Sequence, residues 1–151
     1  MSFLFKKICI ASDHAGYNLK ELIKDHLINK HVSIFDLGPF DNKSVDYPDY
    51  AYPAAESVAS GVSDFGILIC GSGQGMCMTA NKITGIRAAH CHTIELAKLS
   101  REHNNANVLC MGGRIIDFET AKEIINTFFM TDFEGGRHMI RVEKIHSLTG
   151  Y

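Results

Sequence analysis

Apolar positions along the chain fall into two alternating patterns. Short continuous runs recur at residues 7–12 (KICIAS), 32–36, 65–70 (FGILIC), 86–89 and 108–111. Runs of that length, partly β-branched, predict strands buried on both faces. Between them the apolar residues take helical spacing. Leu19, Leu22, Ile23 and Leu27 share one helical face, as do Ala121, Ile124, Ile125 and Phe128. The alanine-rich stretch 50–60 predicts a helix stopped near Gly61, and residues 76–82 predict another. Thr93 and Asp117 fit N-caps, the first for a helix through about residue 101. A last, more charged helix is expected from Gly136 to about Leu148, and residues 37–49 read as a loop. Strands alternating with helices predict βαβ units and a parallel sheet covered on both faces. The expected α/β fold is a flavodoxin-like, doubly wound, five-stranded parallel sheet in one domain, with strand order 2-1-3-4-5. In such sheets ligands bind outside the carboxyl ends of the strands, which directs attention to the loops after Ser12, Cys70, Ala89 and Met111.

Composition narrows the class. The 151 residues are 46% hydrophobic and 21% charged with 3 prolines, which excludes disorder and collagen-like repeats. A domain of this size needs no disulfide or structural metal to fold. A net charge of −2 offers no basic field for nucleic acid or an anionic membrane. No apolar run approaches the about 20 residues of a membrane span. The opening MSFLFKK sets its apolar residues before its lysines, the reverse of a secretory signal. Five cysteines (Cys9, Cys70, Cys77, Cys91 and Cys110) are odd in number, widely spaced and without a C-x-x-C pair. A soluble, cytoplasmic protein with free thiols is expected.

The strongest local pattern is Cys70-Gly71-Ser72-Gly73-Gln74-Gly75, after an apolar run and before a helix. Alternate glycines let a backbone approach a ligand and present several N–H groups together. A helix N-terminus favours a phosphate, a developing oxyanion or a thiolate at Cys70. The same residues also fit a tight strand-to-helix turn with an inert buried cysteine. They match neither a Walker A loop nor a G-x-G-x-x-G dinucleotide fingerprint. Ser12-Asp13-His14-Ala15-Gly16 sets a carboxylate and an imidazole after the first strand. Asp13 either binds sugar hydroxyls or caps a helix, and His14 can bind phosphate or move a proton near neutral pH.

Residues 100–107 (SREHNNAN) offer His103 as an acid–base group, or a solvated helix end. Gly135-Gly136-Arg137-His138-Met139-Ile140-Arg141 sets Arg137 and Arg141 one helical turn apart. The pair suits a phosphate, or is an exposed face pairing with Glu134 and Glu143. Arg114, after Gly112-Gly113, is a further anion clamp, and the three arginines are expected to form one basic cluster sized for one phosphate. His90-Cys91-His92 has ligand-like spacing but no matching partners, so no metal site is expected. Cys9, Cys77, Cys91 and Cys110 read as packing residues. Tyr47 can stack on a ligand or hydrogen-bond to it.

The motifs S-D-H-A-G, D-Y-P, C-G-S-G-x-G, N-K-x-x-G-I-R-A, S-R-x-H-N-x-A-N-V-L, G-G-R and G-G-R-H-x-x-R-V follow one another in this order. As an ordered set over about residues 7–145, they resemble type B ribose-5-phosphate isomerase, in the wider family that includes galactose-6-phosphate isomerase subunits. The resemblance implies interconversion of ribose 5-phosphate and ribulose 5-phosphate without metal or organic cofactor. It implies Cys70 as the base between C1 and C2, and His103 as the group assisting ring opening. Asp13 and His14 would bind the sugar. The backbone of Gly71, Ser72, Gly73, Gln74 and Gly75 would stabilise the enediolate, with the Ser72 hydroxyl as a partner. Asn104 would hold the substrate, and Arg114, Arg137 and Arg141 its phosphate. The family forms homodimers or homotetramers with sites at the subunit interface, so some of these residues would come from the neighbouring chain, and the helix from about residue 136 would contribute to the phosphate site and the dimer.

Two departures stand out. Ser72 replaces the threonine of many members, and the glutamate that some members use instead of the cysteine has no counterpart in this loop. In galactose-6-phosphate isomerase the catalytic residues are divided between two different subunits, whereas Cys70 and His103 here share one chain. Competing readings are an isomerase of a six-carbon sugar phosphate (allose or galactose 6-phosphate), a non-catalytic phosphate-ligand-binding module, and a thiol redox protein, the last without a resolving cysteine close to Cys70.

Overall fold

The computed structural model describes residues 6–150; the N-terminal stretch weighed as a secretory signal lies almost wholly outside that range. Five strands form one sheet: β1 (Ile8–Ser12), β2 (Ile34–Asp36), β3 (Phe65–Cys70), β4 (Ala88–His90) and β5 (Val108–Gly112). The helices are α1 (Tyr17–Asn29), α2 (Pro48–Ala59), α3 (Gln74–Ala80), α4 (Ile94–Asn104), α5 (Phe118–Met130) and α6 (Arg137–Thr149). All strand pairs are parallel.

The order is β2-β1-β3-β5-β4, which corrects the expected 2-1-3-4-5. Burial explains the exchange. Every residue of β5 is buried, whereas the three residues of β4 are all half-buried. A fully apolar five-residue run gains most between two neighbours, so β5 takes the inner place and β4 the edge. Right-handed crossovers then send α1, α4 and α5 to one face and α2 and α3 to the other. Two cores result. One packs Ile8, Ile10, Ile67 and Leu109 under Leu19, Ile23, Ile124 and Phe128. The other packs Cys9, Leu68 and Cys110 under the alanines of α2 and Met76 of α3.

Local signals hold where they have a cap to act through. Thr93 Oγ1 accepts the Leu96 N–H at 3.2 Å, and Asp117 Oδ1 accepts that of Thr120 at 2.8 Å. α4 runs on to Asn104, past the expected end, and closes on Asn105 in the left-handed region (φ 47°).

Leu22, expected inward, is exposed on α1, and Lys20 takes an inward place instead, with no exposed surface. Its ammonium is 2.9 Å from both carboxylate oxygens of Asp36 and from Glu21 Oε1. It also lies over the rings of Tyr17 and Phe40, at 5.4 and 5.6 Å. Burial pushes the Asp36 carboxyl up, but the bonds from Lys20 and Lys24 outweigh it and hold the pKa below the ordinary value. Asp36 Oδ1 also accepts the Gly38 N–H at 2.9 Å, so the network fixes the start of the β2–α2 loop.

Cys9, Cys91 and Cys110 are buried in or beside strands. Burial pushes all three thiols up, that of Cys91 to about 11. Among the described residues no helix is long and apolar enough to cross a membrane.

Candidate active site

At the carboxyl edge of the sheet, a cavity of about 450 Å³ is lined by Asp13, His14, Ala15, Tyr47, Cys70, Gly71, Ser72, Gly75, Arg114 and Ile115. Four loops meet there because β1, β3 and β5 are adjacent and end together. Backbone bonds join them. The Asp13 N–H donates to Ile69 O at 3.1 Å, Gly113 N–H to Cys70 O at 2.8 Å, and Arg114 N–H to Gly71 O at 3.0 Å.

Each side chain has a local reason for its place. Asp13 is buried, and its Oδ1 accepts the Gly16 N–H at 3.0 Å. The carboxylate thus fixes the turn that leads into α1 while still lining the cavity; the N-cap itself is Gly16, with no side-chain cap, so Asp13 does not cap the helix as the alternative expected. Gly16 is obligatory here, since a Cβ would stand 2.2 Å from Ile69 O. His14 Nδ1 lies 3.2 Å from both the N–H and the carbonyl of Val45, so either tautomer finds a partner. That contact ties β1's loop to the loop carrying Tyr47.

Cys70 ends β3, is buried, and pairs with Gly112 across the ladder. Ser72 Oγ accepts the Gln74 N–H at 3.3 Å and is exposed. Gly73 has φ +83° and precedes α3, whose N-terminal turn starts at Gln74, two residues before the expected helix. Gly75 faces the Tyr47 ring so closely that a Cβ would lie 2.7 Å from Cζ. Tyr47 therefore reaches the cavity only because the first turn of α3 carries glycine at that position.

His103, Asn104, Arg137 and Arg141 do not line this cavity. α4 starts beyond the carboxyl end of β4 and runs back toward the beginning of β5, so its last turn stands at the opposite edge of the sheet. There Asn104 O accepts the Arg87 Nε–H at 3.1 Å, just before β4 begins. α6 packs on this end of α4: the His103 and His138 rings stack with centroids 4.3 Å apart and 9° between planes. Arg137 and Arg141 project exposed from α6, and Arg114 stands exposed at the other edge. The expected single cluster of three arginines is therefore corrected within one chain: it is divided two and one between the two edges of the sheet.

Burial, and next the neighbouring His103, lower the His138 pKa. His146 is lowered by burial and then by Arg87, whose Nη1 lies 2.7 Å from its Nε2. Among the described residues, one group gathers three metal-ligand atoms: His103, Glu134 and His138, within 4.8 Å of one another. Glu134 and His138 are one helical turn apart in sequence, but nothing in the sequence brings His103 to them. His90 and His92 hold their rings 5.6 Å apart, and among the described residues no third ligand joins them.

The matching family model, Ribose/Galactose Isomerase, spans residues 8–145. The chain is 45% identical over 143 residues to ribose-5-phosphate isomerase B of Escherichia coli, covering 95% of this chain and 96% of that one. It is 48% identical over 140 residues to a putative sugar phosphate isomerase of Bacillus subtilis, covering 92% and 94%. A solved ribose 5-phosphate isomerase of Thermotoga maritima superimposes with TM-score 0.93 at 49% identity, over 95% and 99% of the two chains. Ribose-5-phosphate isomerase B from Mycoplasma genitalium with bound ribulose-5-phosphate does so with TM-score 0.91 at 44% identity, over 98% and 97%. With a cavity built around a cysteine and a glycine loop, and likeness along almost its whole length, the chain belongs to the ribose/galactose isomerase family and is a sugar-phosphate isomerase.

Proposed function

We propose that this enzyme interconverts ribose 5-phosphate and ribulose 5-phosphate through an enediolate, in a site completed by a second copy of the chain. The observation that carries the reading is the Cys70 cavity, where a thiol, a glycine loop, a carboxylate and an imidazole converge at one strand edge. Isomerisation needs a base that moves a proton between C2 and C1, and donors aimed at the oxygen that gains charge. Cys70 is the base. The N–H groups of Gly71 to Gly75 and the Ser72 hydroxyl meet the enediolate oxygen. Asp13 and His14 hold sugar hydroxyls, Tyr47 covers the sugar, and Arg114 contributes positive charge.

One chain does not supply the remainder in place. A ring-opening acid–base group must lie within hydrogen-bond reach of the sugar, and His103 sits at the far edge of the sheet. In a two-fold dimer, each Cys70 cavity is met by His103, Asn104, Arg137 and Arg141 of the partner subunit. His103 there assists ring opening, Asn104 holds the open chain, and the arginine pair grips the phosphate. The phosphate grip supplies binding energy remote from the reacting carbons, which fixes the reactive geometry. Neither metal nor organic cofactor takes part, and the five free thiols fit a reducing, cytoplasmic setting.

The test is turnover of ribose 5-phosphate with chelator present, by wild type and Cys70→Ala. Wild type is expected to turn over. The variant is expected to lose about 100-fold or more in kcat; a loss below about tenfold removes Cys70 as the base. Faster turnover of allose 6-phosphate or galactose 6-phosphate would move the substrate to six carbons and leave the chemistry in place.

A further inference from the structure

His103 on the last turn of α4, Glu134 between α5 and α6, and His138 on α6 each bring one ligand atom to within 4.8 Å of the other two. We infer that these three side chains form a binding site for a divalent transition metal of the zinc type, and that its occupation silences turnover by taking the His103 lone pair. The second half of the inference rests on the role given to His103 above; the first half does not.

Two imidazoles and one carboxylate are a donor set that holds zinc while leaving a fourth position open. The set is also prepared by the chain. The Glu134 N–H donates to Glu102 O at 3.1 Å, which ties the segment carrying Glu134 to the turn carrying His103. Gly135 and Gly136, at φ +68° and +53°, let the chain double back between Glu134 and α6. The His138 N–H closes that turn on Gly135 O at 3.0 Å.

An independent sign of a missing partner is His138 itself. Its side chain is 9% exposed, yet Nε2 makes no hydrogen bond, although Glu134 Oε2 is only 3.4 Å away. A buried ring nitrogen without a partner asks for an explanation, and an unplaced ion is one. The stacked rings lie 9° from parallel, so one of them must turn for both lone pairs to meet one ion. His103, half-buried where His138 is buried, is the ring that would turn. Arg137 and Arg141 repel a cation on the same helix, so the expected affinity is micromolar rather than that of a closed structural site.

The test uses the whole chain and reads the metal directly. Zn²⁺ is titrated against a chromophoric chelator into wild type, His138→Gln and Glu134→Gln, with folding checked by thermal melting. Wild type is expected to take one Zn²⁺ per chain, and each variant to bind it about tenfold or more weakly. Co²⁺ in the wild-type site is expected to give the intense visible bands of tetrahedral ligation. Glu134 is exposed, so its variant keeps the test decisive if His138→Gln does not fold. Equal Zn²⁺ affinity in wild type and Glu134→Gln overturns the site.

In the same preparations Zn²⁺ is expected to stop wild-type turnover, reversibly by chelator, and to spare Glu134→Gln. Stoichiometric binding without inhibition overturns the control of turnover. Absence of turnover on ribose 5-phosphate under all conditions fails the functional reading alone, because metal binding is read without substrate.

Discussion

The two edges of the sheet are built differently. At the carboxyl edge, Asp13 and Cys70 are buried, the loops are stapled to one another by backbone bonds, and side chains press on glycines. At the amino edge, Asn104, Arg137 and Arg141 stand exposed, and α6 also shows Met139, Ile140, Ile145 and Leu148 to solvent. The first edge is finished by the chain's own packing. The second carries exposed arginines on a helix whose apolar face the single chain leaves uncovered. The proposed dimer, laying one edge on the other, would cover that face and bring the Cys70 cavity to the partner's arginines in one step.

The largest expected effect comes from separating the halves. Cys70→Ala and His103→Asn are each expected to lose about 100-fold or more in kcat as pure proteins. Mixed in equal amounts and allowed to exchange subunits, they are expected to regain about a quarter of wild-type activity, since half the dimers then hold one site with both groups intact. A mixture no more active than its components would mean that both groups act within one chain, and the contrast between the edges would lose its functional meaning.

A smaller effect tests how firmly the carboxyl edge is built. Lys20→Met removes a buried ammonium and leaves Asp36 and Glu21 with Lys24 alone. The expected cost is about 3 kcal/mol, read as a lower midpoint in urea. Lys24→Met, on the more open side of the same network, is expected to cost about 1 kcal/mol or less. Because Asp36 also fixes Gly38 at the head of the Tyr47 loop, Lys20→Met should raise KM as well. Equal costs for the two lysines would show that burial does not set the strength of this network.

Much of this was legible in the chain. The apolar runs place all five strands to within about two residues, most closely the inner strands β1, β3 and β5, because a strand buried on both faces has no polar positions to blur its ends. Strand order was not legible, since it depends on how β4 and β5 compete for the inner place, and both runs are apolar. Lys20 was hidden for a related reason. Periodicity assigns inward positions to Leu22 and its neighbours, and only the spatial approach of Asp36, from another element, makes a buried lysine tolerable. In the candidate site, Asp13, His14 and the glycine loop were readable as strand-end residues. The division of the arginines was missed, although parallel topology contains the clue: a helix returning from the carboxyl edge must end at the amino edge, and it takes His103 there.

The smallest expected effect is a pH dependence confined to one edge. His138 and His146 on α6, and His26 on α1, all have lowered pKa values, with burial as the leading cause in each. The folded chain therefore holds them neutral where the unfolded chain, with an ordinary value near 6.5, takes up protons. Stability from these groups is complete above that pH and is lost as the pH falls through the lower folded values. Protonating His146 would also set a second cation 2.7 Å from Arg87 Nη1. Two of the three histidines belong to α6, so acid should loosen that helix before it loosens the sheet. Between pH 7 and pH 5 a modest fall in Tm is expected, with amide exchange accelerating in α6 more than in β3 or β5 once corrected for intrinsic rates. Uniform acceleration would mean that the amino edge is held as firmly as the carboxyl edge, and that the exposed face of α6 is not the weaker half of the molecule.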